Sequence, residues 1–454
     1  MLNFDVLVIG AGPAGSKCAI DLGLAGKKVA LIEKEAVGGL CLNHGCIPSK
    51  TYLYLVELLE SIQKAKRHGI QVGEPKVIWE EAKKRKDLNV KMLGAGLTQR
   101  IKSSGVAIVT GEATFLNDHE VQVGDQVYHG DKIVIAFGSR PLFLPITPAG
   151  RHVISTTEIL DLETIPKSLV IIGGGVTGVE IASVFSALGT QVTIIEKLPA
   201  LLPEQDREIA AHLKTALEKK GCRIVLGSEV LSAKDQGEGA EVRYRDSKGQ
   251  EQQLLVDKAL VVIGRVVNYK VDLLNQLGIK HNGRHVQLNE HLQTSLPHFY
   301  LIGDIAMRHL TAYAAEKEGE YVAAHIVGGH SKPFDYDHMP ATIFSHPEVG
   351  AIGMTEEKAK AQGLDYIVKK SSYAANAKAV IMGSREGLVK MIFEKSTGKL
   401  LGVHIVGVHA TDLIHQALVP YIKKMTLNEW KEMIWSHPVL SEVFKDALEV
   451  AGLA

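Results

Sequence analysis

Apolar residues along this chain come in short runs that stop at glycine, as in Val6-Leu7-Val8-Ile9 followed by Gly10. Runs of four to eight apolar residues bounded by turn residues predict buried strands, and longer stretches with apolar positions three and four apart predict helices. Asp5–Ile9 and Val29–Ile32 read as strands around a helical stretch, with Gly10-Ala11-Gly12-Pro13-Ala14-Gly15 between strand and helix and Glu33 at the end of the second strand. The same order returns with Leu169–Ile172, Gly173-Gly174-Gly175-Val176-Thr177-Gly178, Val192–Ile195 and Glu196. In both copies the first glycine and the glutamate are 23 positions apart, 10 to 33 and 173 to 196.

Further strand patterns, Lys132–Ala136 and Lys258–Ile263, flank the second copy and end in Gly138-Ser139-Arg140-Pro141 and Gly264-Arg265. This arrangement predicts a second nucleotide-binding unit inserted within the first. From His338 onward the glycine-turn pattern gives way to other strands, including Gly387–Glu394 and Leu400–Val406. The expected fold class is α/β, with two Rossmann-like nucleotide-binding domains and a separate C-terminal α+β domain. The expected segments are 1–142, 143–268, 269–337 and 338–454.

A chain of 454 residues is roughly three typical domains long. Lys plus Arg and Asp plus Glu both number 51, which provides no electrostatic footprint for nucleic acid or anionic lipid. No apolar run approaches the ~18 residues of a membrane span, and strand patterning begins by Phe4, which predicts a cytoplasmic protein. Four cysteines, Cys18, Cys41, Cys46 and Cys222, are too few for a disulfide scaffold.

Each glycine of a GxGxxG turn has a physical task. The first permits the tight turn, the second lets the backbone approach a pyrophosphate, and the third allows close packing of a helix whose N-terminus favours the anion. A glutamate at the next strand end accepts hydrogen bonds from a ribose 2′-hydroxyl and repels a 2′-phosphate, so Glu196 argues for NAD over NADP, somewhat weakened by Lys197. The competing reading of Glu33 and Glu196 is that of solvated strand ends.

Cys41 and Cys46 lie in Gly38-Gly39-Leu40-Cys41-Leu42-Asn43-His44-Gly45-Cys46-Ile47-Pro48-Ser49-Lys50, directly after the first nucleotide unit. Residues five apart in a regular helix have Cα atoms roughly 8.7 Å apart, beyond the ~7 Å limit for a disulfide. A bonded pair therefore requires a distorted segment, for which Gly45 and Pro48 supply the means. Two small buried residues are the alternative, and that reading suits Cys18 and Cys222 well.

With both glycine turns, the Cys-x4-Cys segment, Ile302-Gly303-Asp304, Ser345-His346-Pro347-Glu348-Val349-Gly350 and His437-Pro438-Val439-Leu440-Ser441-Glu442, the sequence resembles the pyridine nucleotide-disulfide oxidoreductases, most closely the dihydrolipoamide dehydrogenase branch. The resemblance runs almost end to end and implies an FAD domain at 1–142 completed by 269–337, an NAD domain at 143–268 and a dimerisation or interface domain at 338–454. It implies a homodimer with active sites shared between chains, oxidising protein-bound dihydrolipoamide through a Cys41–Cys46 disulfide and FAD with reduction of NAD. The lipoylated domain of a 2-oxo acid dehydrogenase or glycine cleavage complex would be the partner.

By the same resemblance Cys41 is the interchange thiol, Cys46 the flavin-side thiol, and His437 of the other subunit the acid/base. Glu442 orients His437, while Lys50 and Glu180 pair beside the flavin and Asp304 binds the ribityl chain. A histidine suits proton transfer near neutrality, and a carboxylate on its other nitrogen would fix the tautomer. The cofactor positions implied are Gly10, Gly12, Pro13, Ala14, Gly15, Glu33, Lys34, Gly39, Leu40, Cys41, Lys50, Ala113, Phe137, Gly138, Ser139, Asp304, Leu310, Thr311, Ala312 and Tyr313, with Gly173, Gly175, Val176, Thr177, Gly178, Glu180, Glu196, Val230, Gly264 and Arg265 around the nucleotide. No metal is expected.

Leu40, His44, Phe137, Val267, Tyr313 and Trp435 depart from the usual family residues. A glutathione- or mercuric-reductase-like enzyme is the alternative in the same class, and a non-catalytic FAD-binding redox sensor is the alternative outside it. Glu196 and the absence of any cysteine after Cys222 weigh against the reductases, and the full set Cys41, Cys46, His437 and Glu442 weighs against the sensor.

Overall fold

The computed structural model describes residues 1–329, 332–333 and 335–449. The last five residues of the expected interface segment lie outside them. The described chain divides into two compact units, one built from Met1–Thr51, Lys83–Leu142 and Gly264–Tyr336, the other from Tyr52–Ala82, Phe143–Ile263 and the residues from Asp337 onward.

The first unit is organised by a seven-stranded sheet, ordered Ala107–Thr110, Val29–Glu33, Leu2–Ile9, Gln126–Ile135, Glu120–Val123, Thr114–Phe115, with Phe299–Leu301 also paired to Gln126–Ile135. Pairing is parallel around Leu2–Ile9, with Val6 beside Val29 and Lys132, and antiparallel toward Thr114–Phe115. Because Val6–Ile9 and Val29–Ile32 are covered on both faces, they are apolar throughout rather than alternating. The helix Pro13–Leu24 starts directly after the first strand, with Pro13 at its first position, where the missing N–H costs no hydrogen bond.

The second unit holds a parallel five-stranded sheet, Arg223–Val225, Gln191–Ile195, Ser168–Ile172, Lys258–Val261, Val153–Ile154. An antiparallel three-stranded sheet of Glu229–Gln236, Gly239–Arg245 and Glu251–Val256 shares a core with it through Tyr244, Val242 and Val170. The same unit contains an antiparallel sheet ordered Ala341–Ile343, Glu348–Gly353, Leu400–Gly407, Gly387–Glu394, Tyr366–Ser372. Its core gathers Trp430, Phe444, Ile405 and Phe393. None of the described helices is long and apolar enough to cross a membrane.

Candidate functional site

The two glycine turns have matching stereochemistry. Gly10 has φ +107° and Gly173 φ +116°, a region that side chains rarely adopt, and a Cβ on either would strike the carbonyl of Ala136 or Val262. A Cβ on Gly15 or Gly178 would fall on the carbonyl oxygen of Gly10 or Gly173, so the third glycine is what lets helix and turn touch. Gly12 and Gly175 differ from both, since a Cβ there meets no atom within 4 Å. They are also the N-cap residues of the Pro13–Leu24 and Val176–Ala187 helices, neither with a side-chain cap. Open space before uncapped amides at a helix N-terminus fits a pyrophosphate.

Both glutamates bind backbone rather than standing free in solvent. Glu33 Oε2 accepts the Ala11 amide at 2.7 Å and Oε1 that of Glu35 at 2.9 Å. Glu196 Oε2 accepts Gly174 at 2.6 Å and Oε1 Leu198 at 2.7 Å. Each carboxylate thus fixes the turn in front of it and retains lone pairs for a ribose hydroxyl. Lys197 pairs instead with Glu229 at 2.8 Å, away from Glu196.

Cys41 and Cys46 form a disulfide with their Cα atoms 4.7 Å apart. The distance is reached because helix Gly39–His44 ends at Gly45, whose φ −137° and ψ −99° are not helical, and a new helix begins at Cys46. The segment is tied to the first glycine turn: the Gly38 amide donates to the Ala11 carbonyl at 2.8 Å, and a Cβ on Gly39 would sit 2.7 Å from Gly12 Cα. Asn43 Nδ2 clamps the bend by donating to the carbonyls of Val37 at 3.2 Å and Gly39 at 3.0 Å. The segment that carries the disulfide is therefore tied to the first glycine turn, in the same unit. Cys18 and Cys222 are free and buried, and burial pushes both thiols up, away from the reactive thiolate form.

Three expected cofactor residues converge elsewhere in this unit. Ser139 Oγ donates to Asp304 Oδ2, while Arg265 Nε donates to Ser139 Oγ at 2.6 Å and lies 3.5 Å from Asp304 Oδ2. Asp304 follows Gly303, whose amide donates to the fully buried Glu318. Burial raises the Glu318 carboxyl to about 7, although the Tyr336 hydroxyl and the Gly303 amide both favour its ionised form. Leu310 and Thr311 lead into the Ala312–Ile326 helix, where Thr311 is the N-cap and Tyr313 occupies the first turn, its ring 6.2 Å from that of His309. Ala113 and Phe137 pack partly buried on the core, and Gly138 turns with φ +67°. Lys34 is exposed beside Glu35, and Leu40 and Lys50 are half-buried on the two helices of the cysteine segment.

In the second unit Glu180 is buried on the Val176–Ala187 helix and accepts the Phe344 amide at 3.0 Å. Val176 and Thr177 are exposed in the first turn of that helix, and Val230 is half-buried on its strand. Gly264 and Arg265 belong to the first unit.

His437 and Glu442 meet, with His437 Nδ1 3.1 Å from both carboxylate oxygens. The Val439 amide also donates to Glu442 at 3.0 Å, and this bond is the main cause holding the carboxyl below its ordinary range. Asn376, which no sequence motif signals, donates to the carbonyls of Val439 and Leu440 and holds the turn. The His437 ring is largely exposed, so its Nε2 faces outward from this unit with Nδ1 committed. Trp435 packs its ring 6.2 Å from Phe444.

Residues 4–319 match the family described as pyridine nucleotide-disulphide oxidoreductase, and residues 339–448 match its dimerisation domain. A dihydrolipoyl dehydrogenase of Geobacillus stearothermophilus is 35% identical over 99% of this chain and 96% of its own length. One from Bacillus subtilis (strain 168) is 36% identical, over 98% of each. Among solved structures, the HOCl-induced flavoprotein disulfide reductase RclA from Escherichia coli superposes with TM-score 0.87 at 27% identity, covering 98% of this chain and 99% of that one. LpdA from Mycobacterium tuberculosis, 24% identical with TM-score 0.89 and 99% coverage of both, shares the fold.

Proposed function

The chain belongs to the pyridine nucleotide-disulphide oxidoreductase family, and from that premise we propose that it is an FAD- and NAD-dependent dihydrolipoamide dehydrogenase. The observation that carries the reading is the Cys41–Cys46 disulfide anchored to an open glycine turn in the same unit. Full-length relatives with that activity support it.

Bound FAD would supply a two-electron relay between the dithiol and NAD, held at the Gly10–Gly15 turn with Glu33 toward its ribose and Asp304 toward its ribityl chain. This chain's residues handle the sulfur and the proton. A dihydrolipoamide thiolate attacks Cys41 Sγ, the Cys41–Cys46 bond breaks, and Cys46 leaves as a thiolate. The second substrate thiolate then displaces Cys41 from the mixed disulfide and closes lipoamide. Two electrons thereby rest on the cysteine pair.

The two attacking thiols lose their protons in turn to His437 Nε2 of a second copy, which releases the first to solvent before it takes the second, while Glu442 balances the imidazolium charge from Nδ1. The match to a dimerisation domain supports the homodimer that this sharing needs. Lys50 is proposed as a cation beside the flavin. Glu196 at the second turn selects NAD. The proposed partner is a lipoylated domain of a 2-oxo acid dehydrogenase or glycine cleavage complex, and the proposed location is the cytoplasm.

A second reading, reduction of a different disulfide, is favoured by the structural likeness to a flavoprotein disulfide reductase. Steady-state assays with lipoamide, glutathione disulfide and coenzyme A disulfide side by side decide between them. A kcat/KM for lipoamide at least tenfold above the others supports the dehydrogenase, and a higher value for either other disulfide replaces it.

A further inference from the structure

Away from the cysteines, the first unit carries a histidine cluster that the proposed activity does not use. His298 immediately precedes the Phe299–Leu301 strand, and Asp118-His119 forms the turn before Glu120–Val123. Asp304 and the first glycine turn follow the C-terminal ends of the parallel strands Phe299–Leu301 and Leu2–Ile9, whereas His298 stands at the N-terminal end of Phe299–Leu301. Among the described residues, Asp118, His119 and His298 are the group of His, Cys, Asp or Glu side chains whose donor atoms all lie within 4.8 Å of one another.

The cluster is held by backbone. The Gly130 amide donates to the His119 carbonyl at 3.0 Å, and the Ile133 amide to the His298 carbonyl at 2.8 Å. Asn117 Oδ1 accepts the amides of His119 and Glu120, both at 2.9 Å, which sets the turn. His119 Nδ1 lies 2.9 Å from the Gly130 carbonyl, a contact satisfied only when Nδ1 carries the proton. The Nε2 lone pair is then available to a ligand, the arrangement in which a metal-binding imidazole is oriented by a carbonyl on its far nitrogen. His298 Nε2 is 3.3 Å from Asp118 Oδ2 and 3.1 Å from the Asp118 carbonyl.

Charge and chemistry favour a cation. The His119 and His298 rings stack with centroids 4.1 Å apart and 6° between planes, and the His129 ring also stacks with His119, centroids 5.6 Å apart. Asp118 and Asp131 supply negative charge, and the Lys132 ammonium opposes it. Two imidazole nitrogens and a carboxylate oxygen suit a borderline divalent ion such as Zn2+ or Cu2+. Bonds of about 2.0–2.2 Å require the donors to close in and the two rings to leave their parallel stack, so that both lone pairs point at one ion.

We propose that Asp118, His119 and His298 form a binding site for one divalent transition-metal ion, separate from the cysteine pair. The inference is independent of the proposed dithiol chemistry. Its test is isothermal titration of the FAD-loaded, disulfide-oxidised protein with Zn2+. Wild type is expected to bind one Zn2+ per chain at this site, with affinity lowered at least tenfold in His119→Ala and in the near-isosteric Asp118→Asn. The Cys41→Ser/Cys46→Ser double variant is expected to keep it. Lack of binding by wild type, unchanged affinity in Asp118→Asn, or loss of the site in the cysteine double variant overturns the proposal.

Discussion

Glu196 Oε2 accepts the amide of Gly174 at 2.6 Å, so the carboxylate at the end of one strand closes the glycine turn that follows the preceding strand. A 2′-phosphate placed there meets a negative charge already fixed by two backbone donors. NADH is therefore expected to exceed NADPH in kcat/KM by at least an order of magnitude, about 1.4 kcal/mol. Glu196→Gln should narrow the ratio. Equal specificity constants for the two nucleotides in wild type would count against this role.

The glycines of the first turn separate folding from binding. Gly12→Ala adds a methyl where no protein atom stands within 4 Å, whereas Gly15→Ala drives one into the Gly10 carbonyl. Gly12→Ala is expected to keep a near-native melting temperature and lose FAD affinity by tenfold or more. Gly15→Ala should lower the melting temperature of the apoprotein itself. Thermal denaturation and flavin content of both variants check the split, and equal melting temperatures would refute it.

His437 Nδ1 is committed to Glu442, leaving Nε2 for the substrate proton. His437→Gln should slow reduction by dihydrolipoamide about 100-fold or more, the scale of general acid–base catalysis, with reoxidation by NAD nearly unchanged. Rapid mixing resolves the two half-reactions. Equal slowing of both would make the residue structural.

Glu60 contributes acid sensitivity. Burial raises its carboxyl, but the His346 imidazole at 2.6 Å and the Lys220 ammonium overcome this and hold it at about 2, below its ordinary 4.5. A depressed carboxylate stabilises the fold above its unfolded pKa, and that stability is lost as pH falls from about 5 toward 2. The contribution at neutral pH is up to about 3 kcal/mol. Glu60→Gln should reduce stability at pH 7 and flatten its fall between pH 5 and 2, measured by denaturant titration. An unchanged pH profile would refute the assignment.

The strands were legible where burial on both faces made them continuous apolar runs, as at Val6–Ile9 and Leu169–Ile172. The glycine turns were legible because each position has its own steric task. What spacing did not reveal was that Glu33 and Glu196 spend hydrogen bonds on their own turns, since a strand-end carboxylate reads the same whether solvated or bonded. Gly45 was readable as the break that lets Cys41 reach Cys46, whereas Asn376 was not, because its partners Val439 and Leu440 lie more than sixty residues away. His119 and His298 likewise join only through strand pairing that brings Phe299 beside Ile133.

In the proposed reaction electrons pass through Cys41 and Cys46. Two activities of one Cys41→Ser preparation test this, dihydrolipoamide-dependent reduction of NAD and NADH-dependent reduction of an artificial quinone acceptor. The first should fall to background while the second stays within a few-fold of wild type. Undiminished dihydrolipoamide turnover in the variant would contradict the account.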